Sequence, residues 1–471
     1  MLLKYIYDPK LAHASYLVGC QATGEAIVID PGRDIKPYLD EARAQGMRVV
    51  AATETHIHAD FLSGARELAE RVRARLLLSD EGDDDWKYQY VDDYDHQLLK
   101  NGDTFKIGNI KFEVMHTPGH TPEHISLLVT DTAGANKPMG LFSGDFMFVG
   151  DVGRPDLLEK AAGEAGTAEI GAEGMFKSLQ RFRELPDYLQ VWPAHGAGSA
   201  CGKALGAIPS TTVGYEKLFN AALSYNELGP FVTALLDGQP EPPKYFAMMK
   251  RLNKVGPPLL GKQELPPSLP VAALQRLLEA GAVIVDTRLS SAFAKAHIPA
   301  TINIPEGGSF ITWAGWLLDY NTPFYLIAES GQAEILLQDL RSIGLDNMAG
   351  YFETPVIQHW AAQGRALQSY QKTTSREIAD KVKHGQVTVL DVRALSEWNE
   401  GHIPAARHIM LGYLPENISA LPREKPILLQ CRSGARSAIA ASVLQSKGIT
   451  DVMNLSDGIQ GWLAAGLPIK R

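Results

Sequence analysis

The sequence predicts an α/β protein of three domains, a larger N-terminal one followed by two copies of a smaller unit. Three observations predict this. The chain has 471 residues, and at roughly 150 residues per domain that length corresponds to about three domains. Short β-branched and apolar runs (Glu25–Asp30, Arg48–Ala52, Asn109–Val114) alternate with helical stretches such as Ala65–Ala74, which is α/β patterning. Beyond about residue 260 the chain repeats itself.

The repeat has three landmarks in one order. V-I-V-D-T-R ending at Arg288 returns as T-V-L-D-V-R ending at Arg393, and His297-Ile298-Pro299 returns as His402-Ile403-Pro404, both 105 residues on. Ser330-Gly331 returns as Ser433-Gly434, 103 residues on. A duplicated α/β unit of about a hundred residues accounts for all three. Proline-rich stretches at 238–245 and 256–270 mark the join, because proline fixes φ and removes a donor. The expected domains are 1–255, 256–365 and 366–471.

Composition excludes several classes. Hydrophobic residues make up 45% and charged residues 21% of the chain, which is ordinary globular usage rather than disorder. Lys+Arg 45 against Asp+Glu 54 gives a net charge of −9, which argues against a nucleic-acid or anionic-membrane partner. No apolar run approaches the ~20 residues that span a bilayer. The N-terminus, MLLKYIYDPKLAHASYL, lacks a basic-then-apolar signal layout and reads as a first strand. Cys20, Cys201 and Cys431 are too few and too scattered for a disulfide framework. A cytoplasmic chain with free thiols is expected.

Four clusters in the N-terminal domain carry metal-type donors. Thr55-His56-Ile57-His58-Ala59-Asp60-Phe61 follows an apolar run; His116, His120 and His124 share a Pro/Gly turn; Ser143-Gly144-Asp145 and Trp192-Pro193-Ala194-His195 each follow a strand-like run. Alternating donors at a strand end can converge on a cation, and α/β folds expose their chemistry on such loops. For His58, His116 and His124, a place around the ion or in plain turn packing stands beside direct ligation.

This pattern, over about residues 1–250, resembles the metallo-β-lactamase superfamily, whose signature is H-x-H-x-D-H followed by later His, Asp and His ligands. The resemblance implies an αββα sandwich with the metal at one edge of its sheets. Dinuclear members carry His directly after the Asp, and Phe61 stands there in this chain, so one ion is expected rather than two. The run Ser143–Asp156 resembles the persulfide dioxygenases in particular. That resemblance implies one non-haem Fe(II) per chain, with zinc as the alternative, held by His56, His120 and Asp145, while His58, Asp60 and His195 surround it. Two imidazoles and one carboxylate leave positions for a persulfide sulfur and O2. Arg154 matches the substrate-binding arginine of those enzymes; pairing with Asp151 or Asp156 is its other reading.

In the last domain the order is strand (Pro426–Gln430), loop (Cys431-Arg432-Ser433-Gly434-Ala435-Arg436-Ser437), helix. A cysteine heading such a loop meets backbone N–H groups at a helix N-terminus and sits between two arginines, which favours its thiolate. The unit resembles a rhodanese domain, which implies sulfane-sulfur transfer through Cys431 with Arg432, Ser433, Gly434 and Arg436 binding the substrate. The first copy has Ala328 and Ala333 in place of Cys431 and Arg436, so it is expected to be inactive. Cys201, six residues past His195, is either a second sulfur acceptor or a buried thiol.

The combined expectation is a persulfide dioxygenase, releasing sulfite and thiol, fused to a sulfurtransferase that either forms thiosulfate or supplies the persulfide. Its partners are a low-molecular-weight thiol persulfide (glutathione, coenzyme A and bacillithiol all remaining open), O2, sulfite and thiosulfate, and the chain is expected to form a homo-oligomer. The rivals are a zinc thioester hydrolase resembling glyoxalase II and a non-catalytic sulfur carrier.

Overall fold

Period-two alternation decides the N-terminal architecture. In a strand, successive side chains face opposite sides of the sheet, and here both sides are apolar. Tyr16 and Val18 join one buried cluster, while Leu17 joins another; Ile27 and Ile29 go with the first and Ala26 and Val28 with the second. The first cluster also holds Phe112, Val114, Ile125, Leu127 and Phe142 from a second sheet. It is therefore the filling between two sheets.

The computed structural model describes residues 1–157, 159, 166–261 and 264–471. Lys262 and Gln263, within the second proline-rich stretch, lie outside the described residues. Two compact units form: Met1–Gln263 with Ser342–Gly344, and Glu264–Arg341 with Leu345–Arg471.

In the first unit, β1 (Leu2–Asp8), β2 (His13–Cys20), β3 (Glu25–Ile29), β4 (Arg48–Thr53), β5 (Arg75–Ser79) and β6 (His96–Leu99) form one sheet in that order. The β1–β2 and β2–β3 pairs are antiparallel and the rest parallel. The facing sheet has the order β12-β11-β10-β9-β8-β7, from β7 (Thr104–Ile107), β8 (Ile110–His116), β9 (Ile125–Asp131), β10 (Gly140–Gly144), β11 (Gln190–Pro193) and β12 (Thr211–Thr212). Helices close both outer faces. Ala65 and Leu68 of helix Ala65–Val72 pack outside the first sheet, and Met175, Leu179 and Phe182 of helix Thr167–Arg183 pack outside the second, against Leu141. The unit is an αββα sandwich.

The second unit holds two parallel sheets with matching strand orders. The first runs β14-β13-β15-β16, from β13 (Val283–Asp286), β14 (Ile302–Asn303), β15 (Phe324–Ala328) and β16 (Met348–Glu353). The other runs β17-β21-β20-β18-β19, from β17 (Gln371–Thr373), β18 (Thr388–Asp391), β19 (Arg407–His408), β20 (Ile427–Gln430) and β21 (Val452–Leu455). The extra strand β17 has a counterpart in the single parallel bridge Ser268–Tyr351. Each copy repeats one clamp. Arg288 Nη2 donates to Asp286 (2.7 Å) and Ala296 O (3.0 Å), and Arg393 Nη2 donates to Asp391 (2.7 Å) and Gly401 O (2.8 Å). The repeated D-x-R is thus a structural pin.

Helix Ala435–Ser446, which follows the cysteine loop, is buried continuously from Ser437 to Gln445. A helix apolar on every side must be covered on every side. The first copy supplies part of that cover: Asn303 N–H at the end of β14 donates to Ser442 Oγ at 2.8 Å.

Phe142, 1% exposed, has ring centroids of Trp192 at 4.8 Å and Tyr16 at 5.1 Å around it. Phe142→Ala should cost about 3–5 kcal/mol in urea unfolding of the first unit. Leu218→Ala, at a 76% exposed position, should stay within about 0.5 kcal/mol.

Candidate metal centre and sulfur loop

The candidate metal centre is assembled from loops leaving β3, β4, β8, β10 and β11. Asp30, directly after β3, takes Thr55 N–H (2.6 Å) and Thr55 Oγ1–H (3.0 Å), and so fixes the backbone where the first histidine begins. Thr55 Oγ1 has then spent its only proton. Its 3.0 Å contact with His56 Nδ1 must be accepted from the ring, which leaves the lone pair on His56 Nε2. The same logic applies twice more. His120 Nδ1 donates to Arg154 O and His195 Nδ1 to Ala12 O, each at 3.0 Å, and a carbonyl can only accept. All three rings present Nε2 inward.

Those nitrogens meet Asp145. His120 Nε2 lies 3.4 Å and His56 Nε2 3.8 Å from Asp145 Oδ2, and one donor atom from each of the three residues falls within 4.8 Å of the others. All three are buried, and His56 Nε2 and both Asp145 oxygens lack any hydrogen-bond partner. Buried polar atoms are nearly always satisfied, and ligand atoms about 2.0–2.2 Å from one ion sit at this mutual spacing. Burial, with neighbouring histidines adding to it, holds His56 well below the usual imidazole range, and burial likewise lowers His120. Neutral rings are the form a metal binds. The donor set therefore fits a cation. A glycine is required beside it: Gly144 has φ of 53°, and a Cβ there would meet Thr55 Oγ1 at 2.5 Å and His124 Nε2 at 2.6 Å.

The cysteine loop obeys similar rules. Cys431 is 1% exposed, and its Sγ accepts Gly434 N–H at 3.2 Å and lies 3.3 Å from Ser437 Oγ. Gly434 has φ of 90°, and a Cβ would lie 2.3 Å from Ser456 O, so the turn that aims its N–H at sulfur needs glycine. Arg432 and Ser433 are exposed. Arg436 closes a two-pronged pair with Glu397 at 2.6 and 2.7 Å, so its charge is balanced rather than left wholly to the sulfur. At the equivalent first-copy loop, Ala328 is buried, Thr354 Oγ1 donates to Glu329 (2.9 Å) and Ser330 Oγ to Glu353 (3.3 Å). Glu329 stands where the second copy has Arg432, and Ala333 where it has Arg436.

Comparison with known proteins places these features. The family description "Metallo-beta-lactamase superfamily" matches residues 8–195. A crystal structure of a metallo-beta-lactamase from Staphylococcus aureus subsp. aureus COL is 45% identical, covers 75% of this chain and 98% of its own, and superposes with a TM-score of 0.68. The chain belongs to the metallo-β-lactamase superfamily. It also carries two rhodanese-like domains, matched at residues 270–355 and 374–465. A hydroxyacylglutathione hydrolase from Nitrosococcus oceani is 34% identical over 135 residues, 28% of this chain and 47% of that protein. A mitochondrial persulfide dioxygenase from Bos taurus is 25% identical over 200 residues, 41% of this chain and 68% of that protein. The chain spans about half to two thirds of the length of the hydroxyacylglutathione hydrolases it matches.

Phe61, on which the expectation of a single ion rests, packs among the histidine rings. That ring is fully buried, 3.9 Å from the His13 ring and 4.4 Å from His58. His58 instead pairs with Asp30 at 3.1 Å; burial opposes its charge, but Asp30, Asp60 and Glu54 push it up to about 9. Asp60, His195 and Cys201 gather separately, with His195 Nε2 at 3.1 Å from Asp60 and 3.5 Å from Asp145. Cys201 is buried, and that burial with Asp60 and Asp145 pushes its thiol up to about 12.

His124 has no nitrogen to spare: Nδ1 contacts Thr117 Oγ1 at 2.8 Å and Nε2 accepts Asp145 N–H at 3.0 Å. His116 is spent on Pro122 O at 2.8 Å. Of the two readings of Arg154, the geometry shows the pairing. Its guanidinium is fully buried, takes both oxygens of Asp156 at 2.7 and 2.8 Å, and donates to Ala200 O at 3.3 Å.

Sequence reasoning missed four positioning residues. Asn253 Nδ2 donates to His58 O (2.7 Å) and Phe61 O (2.8 Å) while its Oδ1 accepts Ser63 N–H (2.9 Å), bracing the whole first loop. Glu123, which burial pushes up to about 7, accepts Ile57 N–H at 2.7 Å. Asp30 and His13 complete the set. Only Asp30, ending an apolar strand, left a readable trace.

His120→Ala and Asp145→Asn should each bring bound metal from one per chain to below about a tenth, by elemental analysis, because either change removes one of three donors. Cys201→Ser should leave it at one. In metal-free native protein Cys201 should alkylate with iodoacetamide at pH 8 at least about a hundredfold more slowly than free glutathione, since its thiolate forms only near the top of the scale.

Proposed function

We propose that the chain oxidises a low-molecular-weight thiol persulfide with O2 at a single iron, and transfers sulfane sulfur through Cys431. The observation that carries this reading is a two-imidazole, one-carboxylate cluster with an apolar ring at the position of a further donor, in the same chain as a cysteine loop. Similarity to a persulfide dioxygenase supports it. The overall reaction balances as RSS⁻ + O2 + H2O → RSH + SO3²⁻ + H⁺. Iron held by His56, His120 and Asp145 would supply redox activation of O2 beside a sulfur donor, which zinc does not.

The chain's own residues do the rest. Thr55, Arg154 O and Ala12 O hold the three rings in one tautomer. His195, its Nδ1 held by Ala12 O, directs Nε2 at Asp60 (3.1 Å) and Asp145 (3.5 Å) and so positions both carboxylates. Phe61, Phe148 and the other buried rings exclude bulk water from this corner. In the cysteine loop, the Cys431 thiolate attacks the outer sulfur of a second persulfide; the S–S bond breaks and RS⁻ leaves. Sulfite then takes that outer sulfur as thiosulfate and the thiolate returns. Gly434 N–H, with Ser437 alongside, stabilises the sulfur that carries charge at each end of the cycle.

We assign oxidation to residues 1–255, transfer to 366–471, and to the silent copy at 256–365 the role of buttress for the helix behind Cys431. Among the described residues no helix is long and apolar enough to cross a membrane. The second reading, a zinc thioester hydrolase, is favoured by the hydroxyacylglutathione hydrolase relatives. It calls for a metal-bound hydroxide and commonly two ions, and Phe61 stands against the second.

Anaerobically purified protein should contain iron and consume O2 only when glutathione persulfide is added. Zinc, with thioester turnover and no O2 uptake, would overturn the assignment. Cys431→Ser should abolish sulfur transfer from thiosulfate while leaving O2 uptake within about twofold; loss of both together would refute separate sites.

A further inference from the structure

Two cavities of the second unit, about 410 and 370 Å³, share Ser369 and Tyr370 as a common wall. The smaller is lined as well by Ser291, Lys295 and Lys372. The larger is lined by Lys381 and by Val387, Pro426 and Val452, which precede or begin β18, β20 and β21. These strands are parallel, so their first residues share one end of the sheet. Cys431 follows the last residue of β20, whose four residues span roughly 13 Å at ~3.3 Å each. The cavities are therefore at the opposite end of the sheet from the sulfur loop.

Their chemistry points to an anion. Lys295, Lys372 and Lys381 are exposed, and none has an acidic partner among the described residues. Asp451 is the one acid among the described lining residues. Tyr370 is only 7% exposed, and its hydroxyl is buried with no hydrogen-bond partner. A buried O–H without an acceptor is costly, and burial raises this phenol far enough that it remains a neutral donor. Two ammonium groups, two serine hydroxyls and a phenol around one cavity are all able to donate, and a tetrahedral oxyanion offers the matching acceptors.

We propose that this wall is a binding site for a small, doubly charged oxyanion, with Lys295 and Lys372 supplying charge and Tyr370 a buried donor. Two sources share that chemistry: a sulfur oxyanion such as thiosulfate or sulfite, and inorganic phosphate. The proposal does not rest on the reading of the metal centre, and the test below measures binding alone.

Equilibrium dialysis of labelled thiosulfate, and separately of labelled phosphate, against full-length protein carrying Cys431→Ser removes covalent transfer from the readout. At low ionic strength at least one anion should bind saturably, and the tighter of the two names the source. Adding Lys295→Ala and Lys372→Ala should weaken that binding at least tenfold, and Tyr370→Phe at least threefold. With Cys431 intact, the double lysine variant should transfer sulfur within about twofold of the parent. Binding of neither anion, equal binding with and without the lysines, or loss of sulfur transfer in the double variant would overturn the proposal.

Discussion

Asp145 is the constraint around which the first unit is organised. Its carboxylate is fully buried, neither oxygen has a hydrogen-bond partner, and three imidazole Nε2 atoms lie within 3.8 Å of it. An isolated charge in such a place would be prohibitive, so the surroundings must supply a cation or protonated partners. The rings cannot rotate away, because each Nδ1 proton is already committed to Thr55 Oγ1, Arg154 O or Ala12 O. The lone pairs are preorganised by backbone that belongs to the sandwich core, and the core is what makes the cluster precise.

The same economy governs the second unit. A duplicated strand order produces two loops of one shape, and only one retains sulfur and guanidinium chemistry. The other has Ala328, Glu329 and Ala333 at those positions, while strand β14 of the same copy reaches across to the helix behind Cys431 through Asn303 and Ser442. On the proposed reading, a copy without the loop cysteine still serves as support for the helix behind Cys431.

Much of the architecture was legible because its signals are periodic or repeated. Alternation in β2 and β3 specifies two buried sheet faces, and landmarks about a hundred residues apart specify the repeat. Donor clusters after apolar runs were readable as such, but singling out His56, His120 and Asp145 among them rested on the resemblance to persulfide dioxygenases. What could not be read were partners chosen by tertiary approach. Asn253 lies 192 residues from Phe61, whose carbonyl it holds, and no local pattern marks it. Arg154 was readable as a possible partner of Asp156 two residues on, but Arg436 was not readable as an occupied arginine, since Glu397 closes on it only in the folded chain. His13, alone at a strand start, gave no sign that its ring packs against Phe61.

The central claim is a single ion at His56, His120 and Asp145, with the neighbouring Asp60–His195–Cys201 group free of metal. Anomalous diffraction at the iron edge, on crystals grown without oxygen or added metal, tests it most directly. The account predicts one iron peak per chain, within bonding distance of the two imidazoles and the Asp145 carboxylate. A second peak at Asp60, His195 and Cys201, or a lone peak there, would contradict it.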